Sequence, residues 1–288
     1  MSAPPPLCSL DGRIGPLAEA RISPLDRGFL FGDSVYETMK VLGGHPLFLP
    51  AHLARLAASL AGFEIPWPEG LAAEIAALLA ATGPFDGSLY VQVTRGAAPQ
   101  RLHQPGARLT PTRFLLPAAY AFPADPAAAP GLTAITRPDW RWQRCDLKTT
   151  ALAGSVLGGL AAAHAGADEV LFAGPGGELR EGGHTNLFVR HGEVLETHPL
   201  GAVVLPGVTR SHLLDLAAGL GLTVVERAPR LADREAWREL FVSGTLTGVR
   251  GVVQLDGTPV GDGTVGPWTR RLAAALAARE RAAAEEAG

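Results

Sequence analysis

The apolar positions of this chain switch between two periods, and the switches predict the elements. Residues 35–42 are rich in strand formers and end at Gly43-Gly44, a turn signal. Leu49, Leu53, Leu56 and Leu60 recur at helical spacing and predict a helix over 45–62. A second helix is predicted over 68–82, stopped by Gly83-Pro84. Strands follow over 88–95 and 112–116, and Asp11-Gly12 marks a hairpin near the start. The stretch 117–131, PAAYAFPADPAAAPG, is the linker candidate because proline and alanine replace any periodic pattern. Beyond it the pattern predicts a strand over 132–136, a helix over 149–165 and a strand over 169–173. A strand pair over 185–196 and a helix over 208–220 come next. Short strands near Val224, Leu240 and Val249 precede a last helix from about Pro267. No internal repeat is present. The reading is α+β, a small domain over 1–120 and a larger one over 121–288.

Composition narrows the class. Hydrophobic residues make up 47% and charged residues 18%, which is globular. A net charge of −3 lacks the basic footprint of a nucleic-acid binder. Cys8 and Cys145 can build neither a disulfide framework nor a zinc site by themselves. No signal-peptide pattern and no membrane-length apolar run is found, so a soluble cytoplasmic protein is expected.

The basic residues carry the sharper signal. Of 25, only Lys40 and Lys148 are lysines. Arginine can take over a surface charge but cannot form a Schiff base, because guanidinium stays protonated. Lys148 therefore stands as a candidate for amine chemistry, although from composition alone codon bias with a leftover surface lysine is the favoured explanation of the count. Lys40 falls on the strand over 35–42, on the face of Thr38 and Leu42, with Glu37 and Met39 on the other. It reads as structural or as a charge behind the site.

An aldehyde cofactor held by a lysine needs two more parts. Pyridoxal 5′-phosphate needs a carboxylate at its ring nitrogen and a cup for its phosphate. Glu181 opens Glu181-Gly182-Gly183-His184-Thr185-Asn186, which alone is also an ordinary hairpin. Leu205-Pro206-Gly207-Val208-Thr209-Arg210 enters a helix, and Ser243-Gly244-Thr245-Leu246-Thr247 is a polar turn; each is also an ordinary start or loop. His52 and Arg55 lie one turn apart, on what is equally a solvated helix face. Trp140 and Trp142 read as core residues, and Cys145 needs no redox role.

The order of these motifs resembles the class IV aminotransferases, the fold-type IV pyridoxal-phosphate enzymes. The resemblance starts near residue 22 with Asp26-Arg27-Gly28-Phe29-Leu30-Phe31-Gly32-Asp33-Ser34-Val35-Tyr36-Glu37 and passes through His52-x-x-Arg55, Lys148, Glu181 to Phe188, Leu205 to Arg210 and Ser243 to Thr247. It implies a small α+β domain followed by a larger pseudo-barrel domain, and a homodimer. It implies that Lys148 holds the cofactor and moves the proton, and that Glu181 bonds the ring nitrogen. It assigns the phosphate to Arg55, the N–H groups of Val208 and Thr209, and Thr245.

Within the family, Tyr90 to His103 looks like the D-amino-acid aminotransferases. There Arg101 and His103, with Tyr36, are implied to trap the substrate carboxylate, as an arginine fork can. The implied reaction moves the amino group of a D-amino acid such as D-alanine to 2-oxoglutarate. Branched-chain L-amino-acid transaminase, aminodeoxychorismate lyase and (R)-selective amine transaminase are the alternatives. The chain departs from the pattern at Ala151, where asparagine is common, at His184 and Leu246, where small or hydroxyl residues are common, and in a longer loop before Arg101.

Overall fold

The computed structural model describes residues 6–106 and 108–287. They form two compact units. The first comprises residues 6–106, 108–122, 147–151 and 283–287, and the second 123–146 and 152–282.

The first unit holds β1 (Leu7–Leu10), β2 (Arg13–Pro16), α1 (Arg27–Phe31), β3 (Ser34–Leu42) and β4 (His45–Pro46). It continues with α2 (Leu49–Gly62), α3 (Leu71–Thr82), β5 (Gly87–Thr94) and β6 (Arg113–Ala119). Its six strands form an antiparallel sheet in the order β2-β1-β6-β5-β3-β4. Alternation along β3 decides what each face does. Val35, Met39 and Val41 join Val91 and Leu115 in one core with Leu56 and Leu60 of α2. Tyr36, Thr38 and Lys40 occupy the other face, opposite Gln92, Tyr90 and Ser88 of β5. Glu37 falls on the core face and is fully buried.

Two helices of this unit start later than their periodicity predicts. Residues 45–46 pair with β3 as a strand, Phe48 takes a left-handed conformation, and Pro50 fits the first turn of α2. Gly70, also left-handed, starts α3 at Leu71. The short α1 has no apolar period to betray it. It is set by its ends: Asp26 caps the Gly28 N–H at 2.8 Å, and Gly32 closes it at φ 65°.

The second unit holds β7 (Leu132–Pro138), α4 (Ala153–His164), β8 (Glu169–Ala173), β9 (Leu179–Gly182), β10 (Asn186–His191) and β11 (Val194–Thr197). It continues with α5 (Val208–Gly219), β12 (Thr223–Glu226), β13 (Glu239–Gly244), β14 (Gly248–Leu255) and β15 (Thr258–Pro259). The last helix, α6 (Pro267–Ala287), begins in this unit and ends in the first. Strands β10, β13, β14, β7, β8 and β9 pair in sequence, and β9 returns to β10 through Glu181 and Asn186. This closed ring is the pseudo-barrel. Alternation on β13 again sorts the layers. Leu240 and Val242 pack with Leu187 and Val189, whereas Phe241 stacks on Phe188 at 4.9 Å beneath Leu213 of α5 and Leu272 of α6.

The helix expected over 149–165 begins at Ala153 instead. Thr149 bridges Val35 of β3, and Thr150 donates to the Ser34 carbonyl at 3.2 Å, so these residues are held extended. Trp140 and Trp142 do not fill the core; they are 45% and 40% exposed. The Trp140 indole instead donates to the Gly154 carbonyl at 2.9 Å and meets Phe172 edge-on. No helix among the described residues is long and apolar enough to cross a membrane.

Candidate active site

Lys148 is placed by its backbone. Its N–H donates to Ser59 Oγ of α2 at 3.1 Å, and its carbonyl accepts from the Tyr36 N–H at 2.9 Å. Leu147 beside it packs so closely on Gly62 that a Cβ there would come within 2.6 Å. The Lys148 amine lies 4.2 Å from the centre of the Tyr36 ring, on the polar face of β3. Among the described residues no carboxylate ion-pairs with it. Lys40, on the same face, is buried with its amine 4.3 Å over the Phe122 ring.

Arg55 is not on a solvated face. Its Nε and Nη2 donate to Glu37 at 2.7 and 2.8 Å, and His52 Nδ1 bonds Glu37 at 2.7 Å. Burial pushes the Glu37 carboxyl up, but the hydrogen bonds from Arg55 and His52 outweigh it and hold it at about 2. Burial pushes His52 below its usual range, against the pull of Glu37. Glu37 thus fixes the direction of the Arg55 fork. The helical spacing of His52 and Arg55 was visible in the sequence, but the carboxylate they share was not.

Glu181 and the entry to α5 belong to one network in the second unit. One Glu181 oxygen accepts from Arg141, and the other accepts from the Leu205 N–H at 2.9 Å and the Asn186 amide at 3.2 Å. That amide also donates to the Leu205 carbonyl at 3.0 Å. Burial pushes the Glu181 carboxyl above its ordinary range, although Arg141 pulls it down. Arg141 is shared with Asp139, which it bonds at 3.0 Å, and Arg180 also bonds Asp139 at 2.9 Å. Sequence reasoning missed Arg141 as a partner of Glu181. No periodicity points a guanidinium at a residue forty positions away.

Val208 and Thr209 form the first turn of α5, whose N-cap is Gly207 with no side-chain cap. A Cβ on Gly207 would lie 2.0 Å from Asn186 Oδ1, so only glycine lets the helix start there. Register places Ser243 directly beside Asn186, on the same face of the sheet. Ser243 is buried, and its Oγ has no hydrogen-bond partner among the described residues. Thr245 and Leu246 lie in the turn between β13 and β14. His184 is exposed in the turn between β9 and β10. Cys145 donates to the Trp142 carbonyl, and burial pushes its thiol up to about 11, which removes thiolate chemistry at neutral pH.

Arg101 and His103 both sit against Phe31. The Arg101 guanidinium is 4.9 Å from the ring centre, and the His103 ring meets it edge-on at 5.5 Å. Among the described residues Arg101 has no carboxylate partner.

The model of the amino-transferase class IV family matches residues 34–255. The chain belongs to the class IV aminotransferases. A D-alanine aminotransferase of Bacillus licheniformis is 35% identical over 272 residues, covering 92% of this chain and 94% of that one. One from Staphylococcus aureus (strain COL) is 31% identical over 266 residues, covering 91% and 94%. Among solved structures, a T.th. branched-chain amino acid aminotransferase with pyridoxamine 5′-phosphate superposes with a TM-score of 0.87 at 25% identity, over 97% of this chain and 96% of that one. The 4-amino-4-deoxychorismate lyase of Pseudomonas aeruginosa superposes at 0.81 and 30% identity, over 94% and 98%.

This class IV aminotransferase is a pyridoxal 5′-phosphate enzyme. The chain's own residues fit that group. An amine without an ion-pair partner suits the aldehyde. A buried carboxylate with three of roughly four acceptor sites used suits the ring N–H. An uncapped helix start with an orphaned buried hydroxyl beside it suits a phosphate.

Proposed function

We propose that the chain is a D-amino-acid transaminase, transferring the amino group of a D-amino acid such as D-alanine to 2-oxoglutarate. The products are the 2-oxo acid and D-glutamate. The observation that carries this reading is Arg101, which lies on an aromatic ring beside His103, with no carboxylate partner among the described residues. It is a guanidinium whose N–H edge awaits a carboxylate. The relatives named D-alanine aminotransferase support the same choice.

In this reading Lys148 holds the cofactor and carries the proton on its Nζ during the exchange. When bound, pyridoxal 5′-phosphate supplies an aldehyde carbon and an electron-accepting ring. Glu181 holds the ring nitrogen protonated. Arg55, the N–H groups of Val208 and Thr209, and Thr245 hold the phosphate, and Ser243 adds a hydroxyl to that cup. Tyr36, Arg101 and His103 bind the substrate carboxylate, and Leu246 borders it. The enzyme works as a homodimer in the cytoplasm. The exposed apolar stripe of Val156, Leu157 and Leu160 on α4 supports a second copy covering that face.

The test is a half-reaction spectrum of the purified yellow protein. D-alanine and D-glutamate should each convert the cofactor to its pyridoxamine form, and L-leucine and (R)-1-phenylethylamine should not. Conversion by L-leucine would replace the reading with a branched-chain enzyme. Conversion by the amine alone would replace it with an amine transaminase, and pyruvate release from aminodeoxychorismate with a lyase.

A further inference from the structure

Arg27 ties the start of α1 to the loop that carries Arg101 and His103. Its Nε donates to Asp33 at 2.7 Å, its Nη1 to the Leu102 carbonyl at 2.5 Å and its Nη2 to the His103 carbonyl at 2.6 Å. All three nitrogens are used. Its guanidinium carbon also stands 4.9 Å from the centre of the Phe31 ring. That ring is the one on which Arg101 and His103 rest.

Two arginines thus share one phenyl ring, and they are used differently. Arg27 spends its N–H groups on the backbone of the loop. Arg101 spends only its face, which a cation–π contact requires, and keeps its N–H edge. The loop is gripped at two successive carbonyls and by the two side chains that flank Leu102. It is therefore fixed in position and in twist.

The seat itself is fixed from below. Arg27 is the first residue of α1, and its N–H donates to the Gly96 carbonyl at 3.0 Å. The capping carboxylate of Asp26 is buried and accepts from Thr94 and Thr112 at 2.8 Å each. Asp33 accepts from Arg95 as well as Arg27, both at 2.7 Å. Gly28 lies so near Thr94 that a Cβ would come within 2.5 Å of its Cγ2. A five-residue helix has little stability of its own, so these bonds hold α1 in place.

We propose that Arg27 and Phe31 are positioning residues that set the affinity of this enzyme for the carboxylate of its substrate, by holding Arg101 and His103 in place. The proposal rests on the reading of Arg101 as a carboxylate ligand. Neither residue touches the reacting atoms. They act on carboxylate binding and leave the chemical step alone.

The experiment uses the holoenzyme and the variants Arg27→Gln, Arg27→Lys, Phe31→Leu and Arg101→Ala. The probe is propionate, which is D-alanine without its amino group, titrated against the absorbance of the bound cofactor. KM and kcat for D-alanine are measured beside it. Arg27→Gln should weaken propionate and raise KM about tenfold, with kcat within about threefold of the parent. Arg27→Lys should restore part of the loss, because an ammonium still donates to two carbonyls. Phe31→Leu should fall between, and it decides the matter alone if Arg27→Gln does not fold. Normal propionate binding in folded Arg27→Gln and Phe31→Leu, with binding lost in Arg101→Ala, would overturn the seat but keep the trap. Normal binding in Arg101→Ala would overturn both.

Discussion

Among the glutamates buried against arginines, Glu37 of the first unit and Glu181 of the second are driven in opposite directions. Glu37, in the first unit, receives two bonds from Arg55 and one from His52 and is held at about 2. Glu181, in the second, has one cation, Arg141, which it shares with Asp139, and burial leaves its carboxyl above the usual range. The lesson concerns spare capacity. Glu37 is saturated by charge and serves the structure, aiming Arg55. Glu181 is charged short of balance, so another proton donor at its free acceptor site is favourable. A ring nitrogen of the cofactor is such a donor.

The sharpest way to break this comparison is to remove each carboxylate and ask what is lost. Glu181→Ala should lower kcat/KM for D-alanine on the order of 10³-fold while the protein remains folded. Loss of less than about tenfold would mean that Glu181 is not the ring partner. Glu37→Ala should act first on the fold. It leaves Arg55 buried without its partner and should cost about 3–5 kcal/mol in urea unfolding. An unchanged urea midpoint would show that the Glu37 cluster contributes nothing to stability.

The smallest effect is in the pH dependence of stability, and its sign differs between the two. Glu37 has a folded value below its unfolded one, so its contribution is present above about pH 4.5 and is lost as pH falls toward 2. Glu181 has a raised folded value, so it favours the fold at low pH and loses that contribution as pH rises through the folded value. Unfolding midpoints of Glu37→Gln should converge on those of the parent on acidification. Those of Glu181→Gln should move the other way. Parallel curves for both variants would erase the distinction.

Much of this was legible in the chain, and what was not shares a physical cause. Periodicity located the strand of Tyr36 and Glu37 and even their opposite faces, because alternation is local. Lys148, Glu181 and the start of α5 stood out as motifs. The extended path of Thr149 and Thr150 was hidden because their partner, Ser34, lies more than a hundred residues away. The bonds of Arg141 to Glu181 and of Arg27 to the Leu102 carbonyl were hidden for the same reason, since they span forty and seventy-five residues. Trp140 and Trp142 misled because large aromatics are usually buried, whereas here they line the outside.

The scarcity of lysine makes the chain a convenient analytical object. The side chains offer two ε-amines, one lying over Tyr36 and the other sealed beneath Phe122. Acylation followed by peptide mass mapping would read almost as a single-site assay. Protection of the Lys148 peptide by bound cofactor would report occupancy without turnover, colour or crystals.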